Sequence, residues 1–248
     1  MNLDQLARAW HIAAKDIRTY YLKPPLISWG MLFPVVMILA FYLRAPGDLR
    51  TVAPGLVAMT VLFGATSVEA VVIAFEKRIG AMERLVMAPI THHALLIGKA
   101  ASGALFGLAT GGLVWLLSSL GLGLPLAGGL PLAMIALSSA AFSLLGVLIS
   151  LVMREVFDAM AFSNVFRFPM IFLGGVFVPL TAMAPVLRGV ASVLPLTYTV
   201  DALRHLSLRG EGAFYPLWLD WVVILGFGLV LYYASLALLE RRLESLIE

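Results

Sequence analysis

Residues 75–99, FEKRIGAMERLVMAPITHHALLIGK, lie between two long apolar runs and decide how the chain is read. The segment holds four basic residues, Lys77, Arg78, Arg84 and Lys99, with one proline and two histidines. Met82, Leu85 and Val86, extended by Met87, make an apolar stripe with Glu83 and Arg84 beside it, which predicts a short amphipathic helix. Pro89 stops that helix, and Thr91 is placed to cap the next one, which carries Leu95, Leu96 and Lys99 into the following apolar run. A charged helix held between two spans is what a membrane protein needs if a cytoplasmic partner is to push on it. An ordinary interfacial helix is the plainer alternative.

The surrounding composition calls for a bilayer. Of 248 residues, 61% are hydrophobic and 12% charged, with a mean hydropathy of +0.99, whereas soluble domains carry about 25% charged residues. There is too little polar surface to cover a water-soluble globule. The 22 glycines and 13 prolines fit closely packed or broken membrane helices. The absence of cysteine excludes disulfides and thiolate metal sites. The first 25 residues are amphipathic and lack an apolar core ahead of a cleavage site, so no cleavable signal peptide is expected.

Apolar windows of about 18 to 25 residues predict an all-α integral membrane protein with six spans, at 27–43, 52–74, 100–120, 130–152, 159–180 and 217–239. The fifth is the least regular, because Arg167 and Pro169 sit within it and allow a late start near Phe168. Twelve of the 17 basic residues then fall on one side of the membrane. Basic residues collect on the cytoplasmic side, which puts both termini inside the cell. The organisation expected is an interfacial segment, 1–25, followed by a six-span domain, 26–248.

Two stretches are neither plain spans nor plain loops. Within 3–21, Leu3, Leu6, Trp10, Ala13, Ile17 and Tyr20 recur at helical spacing opposite Asp4, Arg8, Lys15 and Arg18. Such a helix suits the lipid headgroup layer; packing on the protein is the alternative. Pro24 and Pro25 end it. Within 168–208, Pro169, Gly174, Gly175, Pro179, Pro185 and Pro195 break an apolar run too long for one span. The expectation is a span ending at the outer face, then one or two short re-entrant helices sheltered by protein, over 181–208.

The chain lacks a phosphate-binding loop: Gly98–Lys99 is followed by Ala100 and has no upstream glycine at the required spacing. Zinc-protease, nucleophile-elbow and dinucleotide motifs are also missing, so no ATP hydrolysis and no catalytic residue is expected of this chain. His92 and His93 face different sides of a helix without a carboxylate at ligand spacing, and no metal site is expected. Gly103, Gly107 and Gly111 form a small-residue face in the third span, for packing within the chain or between subunits. Ala136 with Ala140, and Ser139 with Ser143, offer the same in the fourth. Glu69 lies about a turn and a half inside the second span, where a carboxylate faces either a basic partner or a wet, proton- or substrate-linked cavity.

Over nearly its full length the chain resembles the permease subunits of ABC-2 type transporters, exporters of drugs, lipids and polysaccharides. The resemblance rests on ERLVMAPITHHALLIGK after the second span and on FLGGVFVPL…LPLTYTVDALRH after the fifth, with Gly174, Gly175, Pro179, Pro195, Tyr198, Asp201 and Arg204. It implies a dimer of permeases, as a homodimer or with a paralogue, and two copies of a separate ATP-binding subunit. That partner would hold the ATP and magnesium, and this chain no cofactor. The coupling helix would fall at 81–89, involving Met82, Glu83, Arg84, Leu85 and Pro89, with a smaller contact near Arg154 and Asp158. Large outer domains are absent, the first outer loop being only about eight residues. Cargo would then pass along the dimer axis between second and fifth spans, with Glu69, Met170, Phe172 and Phe177 as pathway residues. The localisation implied is the cytoplasmic (inner) membrane, with lipid but no nucleic acid as a further partner. A non-transporting membrane scaffold and a secondary carrier are the rival readings.

Overall fold

A computed structural model of the chain describes residues 3–21, 35–40, 49–122, 129–153 and 155–247, together with Leu32 and Leu43. Most of the expected first span, the Pro24–Pro25 turn and Arg154 lie outside the described residues, as does the side chain of Glu83. The described residues are helical or in short connections, without a strand. In order they are α1 (Leu3–Asp16), continued by a wider π turn (Ile17–Tyr21), α2 (Leu49–Arg78), α3 (Ala81–Met87), α4 (His92–Leu122), α5 (Leu130–Val152) and α6 (Val156–Leu173). A 3-10 turn (Leu180–Ala182), α7 (Pro185–Ala191), α8 (Pro195–Ser207) and α9 (Leu217–Ile247) complete it.

Five of these, α2, α4, α5, α6 and α9, are long and apolar enough to cross a membrane. They coincide with the second to sixth expected spans. The protein is therefore a multi-pass, all-helical membrane protein. α7 and α8 bend by 100° across a three-residue break, in the proline-rich stretch where re-entrant helices are expected. With 30 and 31 residues, α2 and α4 are each about 45 Å long, well beyond the roughly 30 Å of hydrocarbon. They are thus long enough for their joined ends, which carry α3, to extend past the hydrocarbon.

Packing explains the order. α2 is the axis: 89% of its most apolar stretch is buried by the rest of the chain, against 28% for α6 and for α9. Its small residues admit close neighbours. A Cβ on Gly103 would meet the Ser143 hydroxyl, and would lie 2.6 Å from Glu69 Cγ and 2.9 Å from the Ala65 carbonyl oxygen. One on Gly107 would lie 2.8 Å from Ala65 Cβ, and one on Gly111 would strike Val61. The glycine face of α4 is thus filled from within the chain, by α2 and by serines of α5. Ser139 and Ser143 belong to this contact, whereas Ser138 bonds to Thr199 of α8 at 2.9 Å.

The structure corrects three expectations. The fifth span starts at Val156, three residues before the expected 159 and without the alternative late start near Phe168, and it ends at Leu173 and not at Leu180. Arg167 does not interrupt it because it leaves the lipid: Nε donates to Thr66 Oγ1 at 2.6 Å, and the guanidinium lies 5.3 Å from the Phe63 ring centre. Pro169 removes one backbone bond from a helix already held on both sides of it. Glu69 is nine residues from the end of α2, more than the turn and a half expected, since the helix continues past the apolar window to Arg78.

Replacing Gly103 by Leu is expected to destabilise the purified protein by about 1–3 kcal/mol, as overpacking does in a close-packed interior. Gly226→Ala, with open space around its Cβ position, is expected to be neutral or slightly stabilising. Thermal unfolding in detergent compares the two.

Candidate functional site

The joined ends of α2 and α4 meet α1 around a buried ion cluster. On α1, Ala9, Ile12, Ala13 and Asp16 recur at three- and four-residue spacing and are all buried. Gly98 of α4 makes room for this face; a Cβ there would lie 2.7 Å from the Ala9 carbonyl oxygen. Behind it, Lys99 is 1% exposed and sits between the fully buried carboxylates of Asp16 and Glu76. Its ammonium is 2.7 Å from Asp16 Oδ2 and also bonds Glu76 Oε2. Lys15 closes the rim, 2.5 Å from Glu76 Oε1 and 2.8 Å from Asp16 Oδ1. Two ammoniums thereby balance two carboxylates from three segments.

α1 thus shows two faces. The one above packs on the protein, while Leu3, Leu6 and Trp10 are exposed and form an apolar strip available to lipid. The expected stripe is split between them: Ala13 belongs to the protein side, and Ile17 and Tyr20 are half-buried. Arg8 donates to the Pro89 carbonyl oxygen, and Gln5 Oε1 accepts from Thr91 N–H at 3.2 Å. The Thr91 hydroxyl in turn accepts from Ala94 N–H at 3.2 Å, capping α4. α1 is therefore tied directly to the turn between α3 and α4.

α3 begins at Gly80, whose φ of 67° lies in the left-handed region that favours glycine. Met82 is buried among Ile12, Ile73, Leu95 and Leu151, with Leu85 packed against the same group. Arg84 and Pro89 are exposed, and Met87 is 86% exposed. Met87 therefore leaves the expected apolar stripe and joins the outward side. Lys77 at the end of α2 donates to the carbonyl oxygens of Ser150, Leu151 and Met153, the last two at 3.2 and 3.3 Å. A cation there satisfies the free carbonyls at the C-terminus of α5. It also holds the α5–α6 turn beside the α2–α3 corner; Phe157 and Asp158, in the first turn of α6, are exposed.

The pathway candidates are not gathered in one place. Glu69 is fully buried, and Oε1 accepts from Tyr21 Oη at 2.5 Å, Ser102 Oγ at 2.5 Å and Gly103 N–H at 3.1 Å. Among the described residues it has no ion-pair partner, so the expected salt bridge is replaced by hydroxyl and amide donors. Met170 is buried, Phe172 is 59% exposed, and Phe177 is half-buried beside it at a ring separation of 5.8 Å.

The residues of the second motif form a scaffold at the other end of the bundle. Gly174 terminates α6, and Gly175 turns with φ 83°. Arg204, 2% exposed, donates from Nη2 to the Gly175 carbonyl oxygen at 2.8 Å. Pro195 opens α8, and Pro179 precedes the 3-10 turn. Tyr198 Oη donates to the Ser192 carbonyl oxygen at 2.7 Å, bracing the bend between α7 and α8. Asp201 accepts the N–H groups of Phe214 and Tyr215 at 2.8–3.1 Å and so holds the approach to α9.

Asp16, Tyr21, Glu76 and Ser102 were not singled out by sequence reasoning. The Ala9–Ile12–Ala13–Asp16 spacing was a usable signal: an acid in line with small apolar residues on an amphipathic helix marks a buried, paired carboxylate.

The model of the family described as ABC-2 type transporter matches residues 8–208. The chain belongs to this family. It is 25% identical over 197 residues to "ABC transporter G family member 20" of Dictyostelium discoideum, covering 78% of this chain and 27% of that protein. It is 27% identical over 195 residues to "Inner membrane transport permease YadH" of Escherichia coli K12, covering 78% and 75% respectively. It is 31% identical over 163 residues to "Probable multidrug ABC transporter permease YbhS" of the same strain, covering 64% and 43%. The chain thus spans less than half the length of the first and third of these relatives.

Removing the central ammonium leaves two buried carboxylates facing each other. Lys99→Met is expected to destabilise the protein by about 3–5 kcal/mol, measured by thermal or denaturant unfolding. Burial alone would lower the pKa of Lys15, but its bonds to Asp16 and Glu76 prevail and raise it above the ordinary 10.5. A raised lysine pKa stabilises fully below the unfolded value and is lost only as pH rises through the folded one. The contribution of Lys15 is therefore expected to stay level between pH 6 and 9, as read from melting temperatures across that range.

Proposed function

We propose that this chain is the membrane-spanning subunit of an ATP-driven exporter and that a separate ATP-binding subunit docks on α3 and the α5–α6 turn. The observation that carries the reading is the geometry of α3. It is a short helix carried beyond the bilayer by two over-long spans, with Met82 and Leu85 turned into the bundle and Arg84, Met87 and Pro89 turned outward. Asp158 and Phe157 extend the exposed surface next to it. Membership of the ABC-2 family supports a transport role, and the charge distribution supports a cytoplasmic location for this end and for both termini. Similarity to YadH, an inner membrane transport permease by name, supports placement in an inner membrane.

The chain supplies no ATP chemistry of its own in this reading. ATP and magnesium belong to the partner, and two permease copies complete the transporter. Closure of the partner subunits pushes α3; the push passes to α2 and α4 directly and to α1 through Arg8, Gln5 and the Lys99 cluster. The two-state change requires that nucleotide binding favour one of the inward-open and outward-open states over the other. α6 presents Phe162, Val165, Phe166 and Phe172 as an exposed apolar face, which suits an amphipathic drug, lipid or glycan-linked cargo moving along the dimer axis. α2, covered by its neighbours, contributes to that axis by its movement, with Glu69 as part of its packing.

The test is co-purification of the ATP-binding subunit from native membranes, with ATPase activity assayed on the eluate. Arg84→Glu combined with Met87→Asp is expected to weaken retention of the partner by at least about tenfold, or ~1.4 kcal/mol, at unchanged melting temperature. Full retention and unchanged stimulation of ATPase activity in that variant would contradict docking on α3.

A further inference from the structure

The end of the bundle away from α3 gathers three ionisable side chains that the transport reading does not use. Asp201 and His205 stand one turn apart on α8, and Asp220 enters from the first turn of α9. One ligating atom from each lies within 4.8 Å of the other two. Both carboxylates are fully buried, and His205 is half-buried. Asp201 accepts from the N–H groups of Phe214 and Tyr215. Asp220 is different: neither of its oxygens has a hydrogen-bond partner among the described residues. Arg204, the neighbouring cation on α8, directs Nη2 to the Gly175 carbonyl oxygen instead.

A buried carboxylate with neither a donor nor a cation is a poor ion. Here two acids converge with an imidazole, and the His205 Nε2 lies 2.6 Å from the Tyr215 carbonyl oxygen. Two carboxylates and one imidazole, with a carbonyl oxygen at hand, make an N/O donor set suited to a divalent transition cation. Metal bonds of about 2.0–2.2 Å place tetrahedral ligand atoms about 3.4 Å apart. Closing the present spacing needs a modest rotation of the Asp220 carboxylate, which has no hydrogen-bond partner among the described residues. The Nε2 proton is donated to the Tyr215 carbonyl oxygen, which leaves Nδ1 of His205 free of a proton and able to ligate.

We propose that Asp201, His205 and Asp220 form a site for a divalent cation of the zinc class, which fastens the bent α7–α8 pair to the start of α9. The bound ion supplies a positive charge that Asp220 does not find among the described residues. It also joins the two elements that the Phe214–Tyr215 segment already holds to Asp201.

The full chain, purified through a tag free of histidine and stripped with a chelator, is titrated with Zn2+ alone. Calorimetry and metal content after desalting are the readouts. One Zn2+ per chain is expected, with a higher melting temperature. Binding should be at least about tenfold weaker in Asp220→Asn and in His205→Gln, and unchanged in His11→Ala, which alters an exposed histidine on α1. A folded wild-type protein that takes up no stoichiometric zinc overturns the proposal. Equal affinity in Asp220→Asn and His205→Gln overturns it too. If wild type binds no zinc while Asp220→Asn melts higher, the carboxyl is carried protonated, and the proposal again fails. None of these readouts depends on transport or on an ATP-binding partner.

Discussion

Lys99 is buried between the carboxylates of Asp16 and Glu76, with Lys15 at the rim. The arrangement at this end of the protein follows from that contact. The four charges come from α1, α2 and α4, so none of these segments can move away without leaving an unpaired charge in a low-dielectric setting. Removing one partner from such a group is far more damaging than the net stabilisation that the group provides. The cluster is accordingly better understood as a constraint on geometry than as a source of stability. It fixes where α1 meets the joined ends of α2 and α4.

α2 carries the constraint to the opposite end. Near its middle, Glu69 receives Tyr21, Ser102 and the Gly103 amide, and the glycine face of α4 lies directly against it. Close backbone approach, hydroxyl donors and one carboxylate replace the hydrophobic drive that lipid does not offer between helices. At its start, Gly55 packs on the backbone of Val176, where α6 gives way to the bent pair. One buried helix thus runs from Arg78 to its contact with Val176, next to the Gly175 carbonyl oxygen that Arg204 holds.

Much of this was legible in the sequence for identifiable reasons. The spans follow from apolar runs longer than any soluble helix requires, and the bent pair follows from prolines that no single helix tolerates. α3 was readable because a charged amphipathic stretch ending in Pro89 has few other solutions between two spans. Side-chain pairing across distant segments was not readable. Lys99 looked like a boundary residue of a span, and nothing local shows that Asp16, 83 positions earlier, would meet it. Arg167 and Pro169 looked like a break in the fifth span because a lone arginine in lipid is unfavourable; Thr66 and Phe63 on another helix remove that objection. Glu69 looked ionic because hydroxyl donors from Tyr21 and Ser102 carry no charge signature in a sequence.

The central claim is that α1, α3 and the joined ends of α2 and α4 move as one body. The chain contains no cysteine, so a spin-label pair can be introduced without background at His11 and at Ile79 of the α2–α3 corner, both exposed and outside the proposed docking face. The distance between them would be measured in the complex with the proposed ATP-binding partner in lipid nanodiscs, with only one labelled permease per complex. The account predicts one narrow distance distribution, the same in the nucleotide-free and ATP-bound states. A distribution that shifts or splits when ATP binds would contradict it, because α1 would then move independently of the α2–α3 corner.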